Sequence, residues 1–198
     1  MEYAQLVMQV AMGISLAACA GLRAFLPLLV ISMLHRLGKI QVDPSFEWIG
    51  SNPALIVFGI ATLVEVLGDK LPVIDNVLDS VGLIVKPVAG TIIFAAVIVK
   101  MDPVLAIVLG IIAGGSISEI IHMKKATIRG GSTALTAGVA NPLLSFIEDL
   151  SAAIGVALSI LVPILAFFLV LILLYLAYHF YKTLMKKRKI VEKPNVST

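Results

Sequence analysis

Glu65-Val-Leu-Gly-Asp69-Lys70-Leu-Pro72-Val-Ile-Asp75-Asn-Val-Leu-Asp79 sets four carboxylates between two apolar runs, Pro53 to Gly68 and Val81 to Val99. The chain around it is 60% hydrophobic. A charged group at membrane depth costs from ~2.5 kcal/mol upward, so it pairs, faces a cavity or binds an ion. The stretch therefore reads as the turn between two membrane helices of a protein with a polar interior.

Working outward, the 198 residues carry only 14% charged side chains, against about 25% in globular domains, and the mean hydropathy is +1.06. A helix needs about 20 apolar residues to span a bilayer. The runs that qualify or nearly do are Tyr3 to Leu34, Pro53 to Gly68, Val81 to Val99, Pro103 to Ile121, Gly130 to Ile147 and Leu150 to Tyr181. The expected fold is all-α, a polytopic transmembrane bundle of about six spans with kinked or broken helices. Residues 1–181 form the transmembrane domain and residues 182–198 a basic cytoplasmic tail.

The first run is too long for one straight crossing, and Arg23 and Pro27 interrupt it. Either residues 3–22 cross and Ala24 to Leu34 lies at or dips into the outer face, or the crossing starts near Gly13 with Arg23 at mid-depth. Small residues at helical spacing, Gly13/Ala17/Gly21, Gly110/Gly114 and Gly155/Ser159, permit close helix contact, with homo-oligomerisation as the alternative use.

With both termini inside, Lys70, Lys86, Lys124, Lys125, Arg129 and the tail lie on the cytoplasmic side, and only Arg36, Lys39 and Lys100 lie outside. That asymmetry matches the positive-inside rule and points to a multi-pass protein of the plasma membrane. Lys186-Lys-Arg-Lys189 and Lys193 suit anionic lipid headgroups. No basic folded module accompanies them, so nucleic acid is not an expected partner.

The single cysteine, Cys19, excludes an intrachain disulfide, and His35, His122 and His179 lack zinc-ligand spacing. Leu16-Ala-Ala-Cys19 has the form of a lipobox, but the residues before it hold Glu2 and no Lys or Arg. A membrane segment from Met1 onward is the better reading.

Glu65 and Asp69 are four apart and share a helix face, and Asp75 and Asp79 repeat the spacing. If the break at Pro72 folds the pairs together, the four oxygen ligands suit a divalent cation. Otherwise Asp75 caps a helix and Asp79 is solvated. Arg23, if buried, needs Glu65/Asp69 or an outer pair Glu148/Asp149 as partner, either as a helix lock or as a tethered cation displaced during transport. Asn141-Pro142, with Ser145, Glu148 and Asp149 following, combines a proline kink with acids, as midplane cation sites do. Capping by Asp149 explains the same residues. His122, Lys124, Lys125 and Arg129 gather before Gly130-Gly-Ser132-Thr133, and a helix starting there would favour a phosphate or lipid headgroup. A plain positive-inside loop accounts for the same charges. His122 and Glu119, three apart, are a candidate proton-exchanging pair.

Glu65-x-x-Gly-Asp69-Lys70 is similar to the Glu-x-Gly-Asp-Lys-Thr motif of a family of calcium and manganese transporters, with one extra residue and Leu71 for the hydroxyl residue. Five segments taken together resemble the membrane family catalogued as domain of unknown function 4126. They are Gly21-Leu-Arg-Ala-Phe-Leu-Pro27, the Glu65 to Asp79 stretch, Lys86-Pro-Val-Ala-Gly90, the His122/Lys124/Arg129 segment and Asn141-Pro-x-x-Ser145-x-x-Glu148-Asp149. That resemblance implies a small integral membrane protein without indicating a substrate.

The expected function is a small transporter or channel for a cation. Glu65 and Asp69 would serve as ligands or proton carriers, and Glu148 and Asp149 as an outer acidic site. The alternatives are a metal-dependent membrane enzyme acting on a lipid phosphate, with Asp-x-x-x-Asp holding Mg²⁺, and a structural scaffold whose charges pair.

Overall fold

Proline and short polar caps punctuate this chain. The computed structural model describes residues 2–99, 101–136 and 138–191. Pro53, Pro72, Pro103 and Pro142 each stand in the first turn of a helix, where a missing N–H costs nothing. Ser51 Oγ accepts from Ala54 N at 3.3 Å, and Asp102 Oδ1 accepts from Val104 N and Leu105 N at 3.0 and 3.1 Å.

The helices are α1 (Glu2–Leu22), α2 (Phe25–Arg36), α3 (Asn52–Gly68), α4 (Pro72–Val97), α5 (Pro103–Leu109), α6 (Ser116–Thr136), α7 (Asn141–Leu161) and α8 (Pro163–Val191). A 3₁₀ turn, Pro44–Gly50, precedes α3, and a π segment, Gly110–Gly115, joins α5 to α6. No strand occurs among the described residues. Four runs are long and apolar enough to cross a membrane: Tyr3–Leu22, Val77–Val97, Pro103–Thr136 and Asn141–Leu161. A fifth appears if the 3₁₀ turn and α3, bent by 63°, count as one span; Phe25–Arg36 and Pro163–His179 are shorter apolar helices.

Two expected spans move. Gly130 to Ile147 is not a helix: α6 runs through Gly130 and Gly131 to Thr136, and the turn falls at residues 138–140. The fifth crossing is α7, and the last run begins at Pro163 rather than Leu150. Asn141-Pro142 therefore starts a helix instead of kinking one. The first run breaks at Arg23–Ala24, in the register where residues 3–22 form the crossing. The tail expected from Lys182 continues α8 to Val191, and residues 192–198, with Lys193, lie outside the described residues.

α1 runs through the centre, its Leu16, Ala17 and Ala20 having no exposed surface. Glycines let backbones meet around it, as the small-residue spacing anticipates. A Cβ added at Gly13 would lie 3.0 Å from the Phe94 ring of α4, and one at Gly155 would lie 2.7 Å from Cys19 Sγ. Gly90 of α4 faces Gly114 of the π segment so closely that a Cβ there would sit 2.6 Å from the Gly114 carbonyl oxygen. The extra residue of a π turn is how this run reaches α4 at that point.

Helix directions alternate. α1, α3 and α6 run toward one end of the bundle, and α2, α4 and α7 run away from it, as Glu65–Ala24, Lys125–Asp69 and Glu148–Arg129 at that end and Asp43–Ala96 at the other require. Charge collects where these helix ends meet.

Candidate functional site: a buried ionic network

Arg23, at the break after α1, has no exposed surface. Its guanidinium pairs with Asp69 and with Asp149 Oδ1 at 2.6 Å, and donates to Ser145 Oγ at 3.0 Å and the Glu65 carbonyl at 3.2 Å. Asp69 Oδ2 also accepts from Lys125 Nζ at 2.8 Å and Arg129 Nη2 at 3.1 Å. Arg129 grips Glu148 in fork geometry, Nε to Oε1 at 3.1 Å and Nη2 to Oε2 at 2.8 Å, and pairs with Asp75 through Nη1. Lys125 reaches Glu148 at 3.2 Å, and exposed Lys70 reaches Asp149 at 3.1 Å.

The network thus holds Arg23, Lys70, Lys125 and Arg129 against Asp69, Asp75, Glu148 and Asp149, equal in number and opposite in sign. Local neutrality is what makes its burial tolerable, because an uncompensated charge costs several kcal/mol (~3–5). Replacing such a network with apolar residues is often neutral or stabilising, so its presence is better evidence for a task than for stability.

Sequence spacing explains part of this. His122, Lys125 and Arg129 lie on one face of α6 and are buried, whereas Lys124 is partly exposed. Glu148 and Asp149 were expected as an outer acidic site. They instead join Asp69 at the same end of the bundle, because α7 starts at Asn141 and carries them less than three turns inward. Glu65, four residues before Asp69, does not share its partners. Its Oε1 and Oε2 accept from Ala24 N at 2.9 Å and Phe25 N at 3.3 Å, so it closes the start of α2 as a distant cap. Asn141 donates to Thr133 Oγ1 at 3.0 Å in the α6–α7 turn, apart from the network.

The four acids of the Glu65 to Asp79 stretch therefore do not converge on one ion. Asp75 is held by Arg129, the Asp79 side chain leaves Oδ1 buried without a partner, and no three His, Cys, Asp or Glu among the described residues are placed to hold a metal. Nor does a phosphate site form at Gly130, because α6 is uninterrupted there and presents no free N–H groups.

Asp69 and Asp75 lie between the spans. Burial opposes ionisation of Asp69, yet Lys125, Arg23 and Arg129 together hold its carboxyl below the usual range. Burial lifts the Asp75 carboxyl above it against the pull of Arg129, and the charges on Asp69 and Asp79 add to the rise.

Lys86 was placed in a cytoplasmic segment. It stands instead well inside α4, 4% exposed, with Nζ 3.0 Å from His122 Nδ1. His122 Nε2 faces the Asp79 carbonyl at 3.1 Å, which assigns its proton to Nε2, and Glu119 leaves Oε2 buried without a partner. The expected Glu119–His122 pair is replaced by Lys86–His122. A lysine inside the run Val81 to Val99 was itself the signal. Ser145, one turn before Asp149, became legible as an arginine acceptor only when α7 packed on α1.

Residues 10–183 match the model of a family described as a domain of unknown function, DUF4126. No curated protein and no solved structure matches the chain.

Proposed function

We propose that this chain, which belongs to the DUF4126 family, is a small membrane transporter whose cargo is a cation and whose ionic network is the closed form of its path. Its apolar helices are compatible with an integral membrane protein. The observation that carries the reading is the environment of Asp69: a buried carboxylate, gathered with Glu148 where five helices approach, with cations of its own chain on it. A cargo cation reaching Asp69 and Glu148 would take the place of Lys125 or Arg129, and the displaced cation would stay tethered to α6. That exchange keeps the site neutral throughout, which avoids the cost of a bare buried charge.

The network end carries Lys70, Lys124 and the start of the basic tail, and the positive-inside bias supports a cytoplasmic position for it. The alternating helix directions then support placing the start of α1 on the opposite side, where the sequence alone suggested both termini in the cytoplasm.

A metal-dependent lipid-phosphate enzyme would need Asp75 and Asp79 to act on one ion, and the Arg129–Asp75 pair works against this.

The test is flux in proteoliposomes across mono- and divalent cations, with native protein and Asp69→Asn. Flux in the native protein that is lost in a monodisperse Asp69→Asn protein supports the reading. Absence of flux for every ion in both would refute it for those ions.

A further inference from the structure

The ionic network leaves out one buried cation. Of Arg23, Lys86, Lys125 and Arg129, the buried lysines and arginines among the described residues, Lys86 alone has no carboxylate at ion-pair distance. Its ammonium has three donors, and one is directed at His122 Nδ1. Ser118 Oγ, donating to the Lys86 carbonyl at 2.8 Å, fixes this turn of α4 against α6.

Lys86 lines a cleft of about 380 Å³ between α3 and α4. Val57, Ile60 and Val64 on one side and Val81 on the other are exposed apolar walls. The cleft thus opens sideways, toward the surface that apolar helices present to lipid, and it is closed at its base by charged groups. A desolvated ammonium without a counter-charge is costly, and the missing partner is an anion.

We propose that this cleft binds a single-chain fatty acid, with its carboxylate paired to Lys86 and its chain lying between α3 and α4. The volume is near the lower end of the ~300–1,000 Å³ typical of small-ligand sites, suited to one chain rather than a two-chain lipid. Glu65 borders the same cleft, but its charge is compensated by the Ala24 and Phe25 amides and the positive end of α2. Asp79 lies two helical turns from Lys86, ~10 Å along α4, so its charge is separated from the headgroup. Asp69, the remaining acid on the lining, is engaged by Arg23, Lys125 and Arg129. The binding needs no transport activity, and it stands or falls independently of the cation reading.

The test is a fluorescence titration of the full chain in non-ionic detergent with cis-parinaric acid, a fluorescent fatty acid. Oleic acid, oleyl alcohol and dioleoyl phosphatidylglycerol serve as competitors. Saturable binding of one molecule per chain is expected, displaced by oleic acid and at least about tenfold less well by the alcohol or the two-chain lipid. Lys86→Met and Ala61→Trp, the latter filling the cleft from the α3 wall, should each weaken it by at least about tenfold, while Lys86→Arg retains it. The proposal is overturned by absence of saturable binding, by Ala61→Trp binding like the native chain, or by equal competition from oleyl alcohol. If Lys86→Met does not fold, Ala61→Trp and the competitor series still decide the matter.

Discussion

Lys125 Nζ donates to Asp69 Oδ2 at 2.8 Å, joining the middle of α6 to the residue that ends α3. Both side chains are buried, and the same oxygen also receives Arg23 and Arg129. Helices far apart in sequence are therefore registered on one carboxylate. Removing it strands three cations at once.

Asp69→Asn is accordingly expected to be the most damaging single change in the network. Breaking a buried pair costs about 3–5 kcal/mol, and with several partners the loss should reach at least that range. Thermal unfolding of the purified protein, followed by size-exclusion fluorescence, reads it directly. A melting temperature unchanged from the native chain would show that the cations do not depend on this carboxylate.

Asp75→Asn should cost much less than Asp69→Asn, because burial already disfavours the charge on Asp75. The pH dependence follows in sign. A carboxyl raised in the folded state above the ~3.9 of a free aspartate imposes a penalty at neutral pH that is relieved as pH falls through its folded value. The melting curves of native and Asp75→Asn proteins should therefore converge on acidification. Asp69 behaves oppositely: held below the usual range, it contributes stability above ~pH 4 that is lost only as pH falls through its depressed value. A gap between native and Asp75→Asn that widens in acid would contradict this assignment.

Glu65→Gln should loosen the start of α2 without disturbing the ion pairs. One side-chain oxygen can still accept from Ala24 or Phe25 and the other acceptor is lost, so a cost of about 0.5–2 kcal/mol is expected, the range for losing a helix cap. Hydrogen exchange at residues 24–28 should rise while Lys125 and Arg129 contacts persist. Global unfolding instead would mean that Glu65 belongs to the network.

Cys19 offers a probe that needs no substitution. It is buried in α1 against Gly155, so a maleimide should fail to label it in the folded protein and label it fully after denaturation. Gly155→Leu forces atoms into the space of the sulfur, and overpacking of this kind costs about 1–3 kcal/mol. It should expose the thiol to slow labelling. Rapid labelling of the native chain would place α7 elsewhere.

The all-helical membrane class needed no tertiary information. Apolar runs of spanning length, proline at helix starts and small residues at helical spacing are local signals, and the α1, α4 and α7 packing follows them. The stretch from Glu65 to Asp79 was equally legible as the place where charge meets apolar helix. Its partners were not. Sequence spacing could group Glu65 with Asp69 on one face, but the opening of α2 claimed Glu65 for its free amides, and three cations from α6 and the α1–α2 break claimed Asp69. The position of the turn after α6 moved Glu148 and Asp149 from an outer site into the network, because Gly130-Gly131 is compatible with both a turn and a helix end when read locally. A buried charge announces by its cost that it must have a partner. Which partner it takes depends on helix direction and register, and those are fixed only when the backbones pack together.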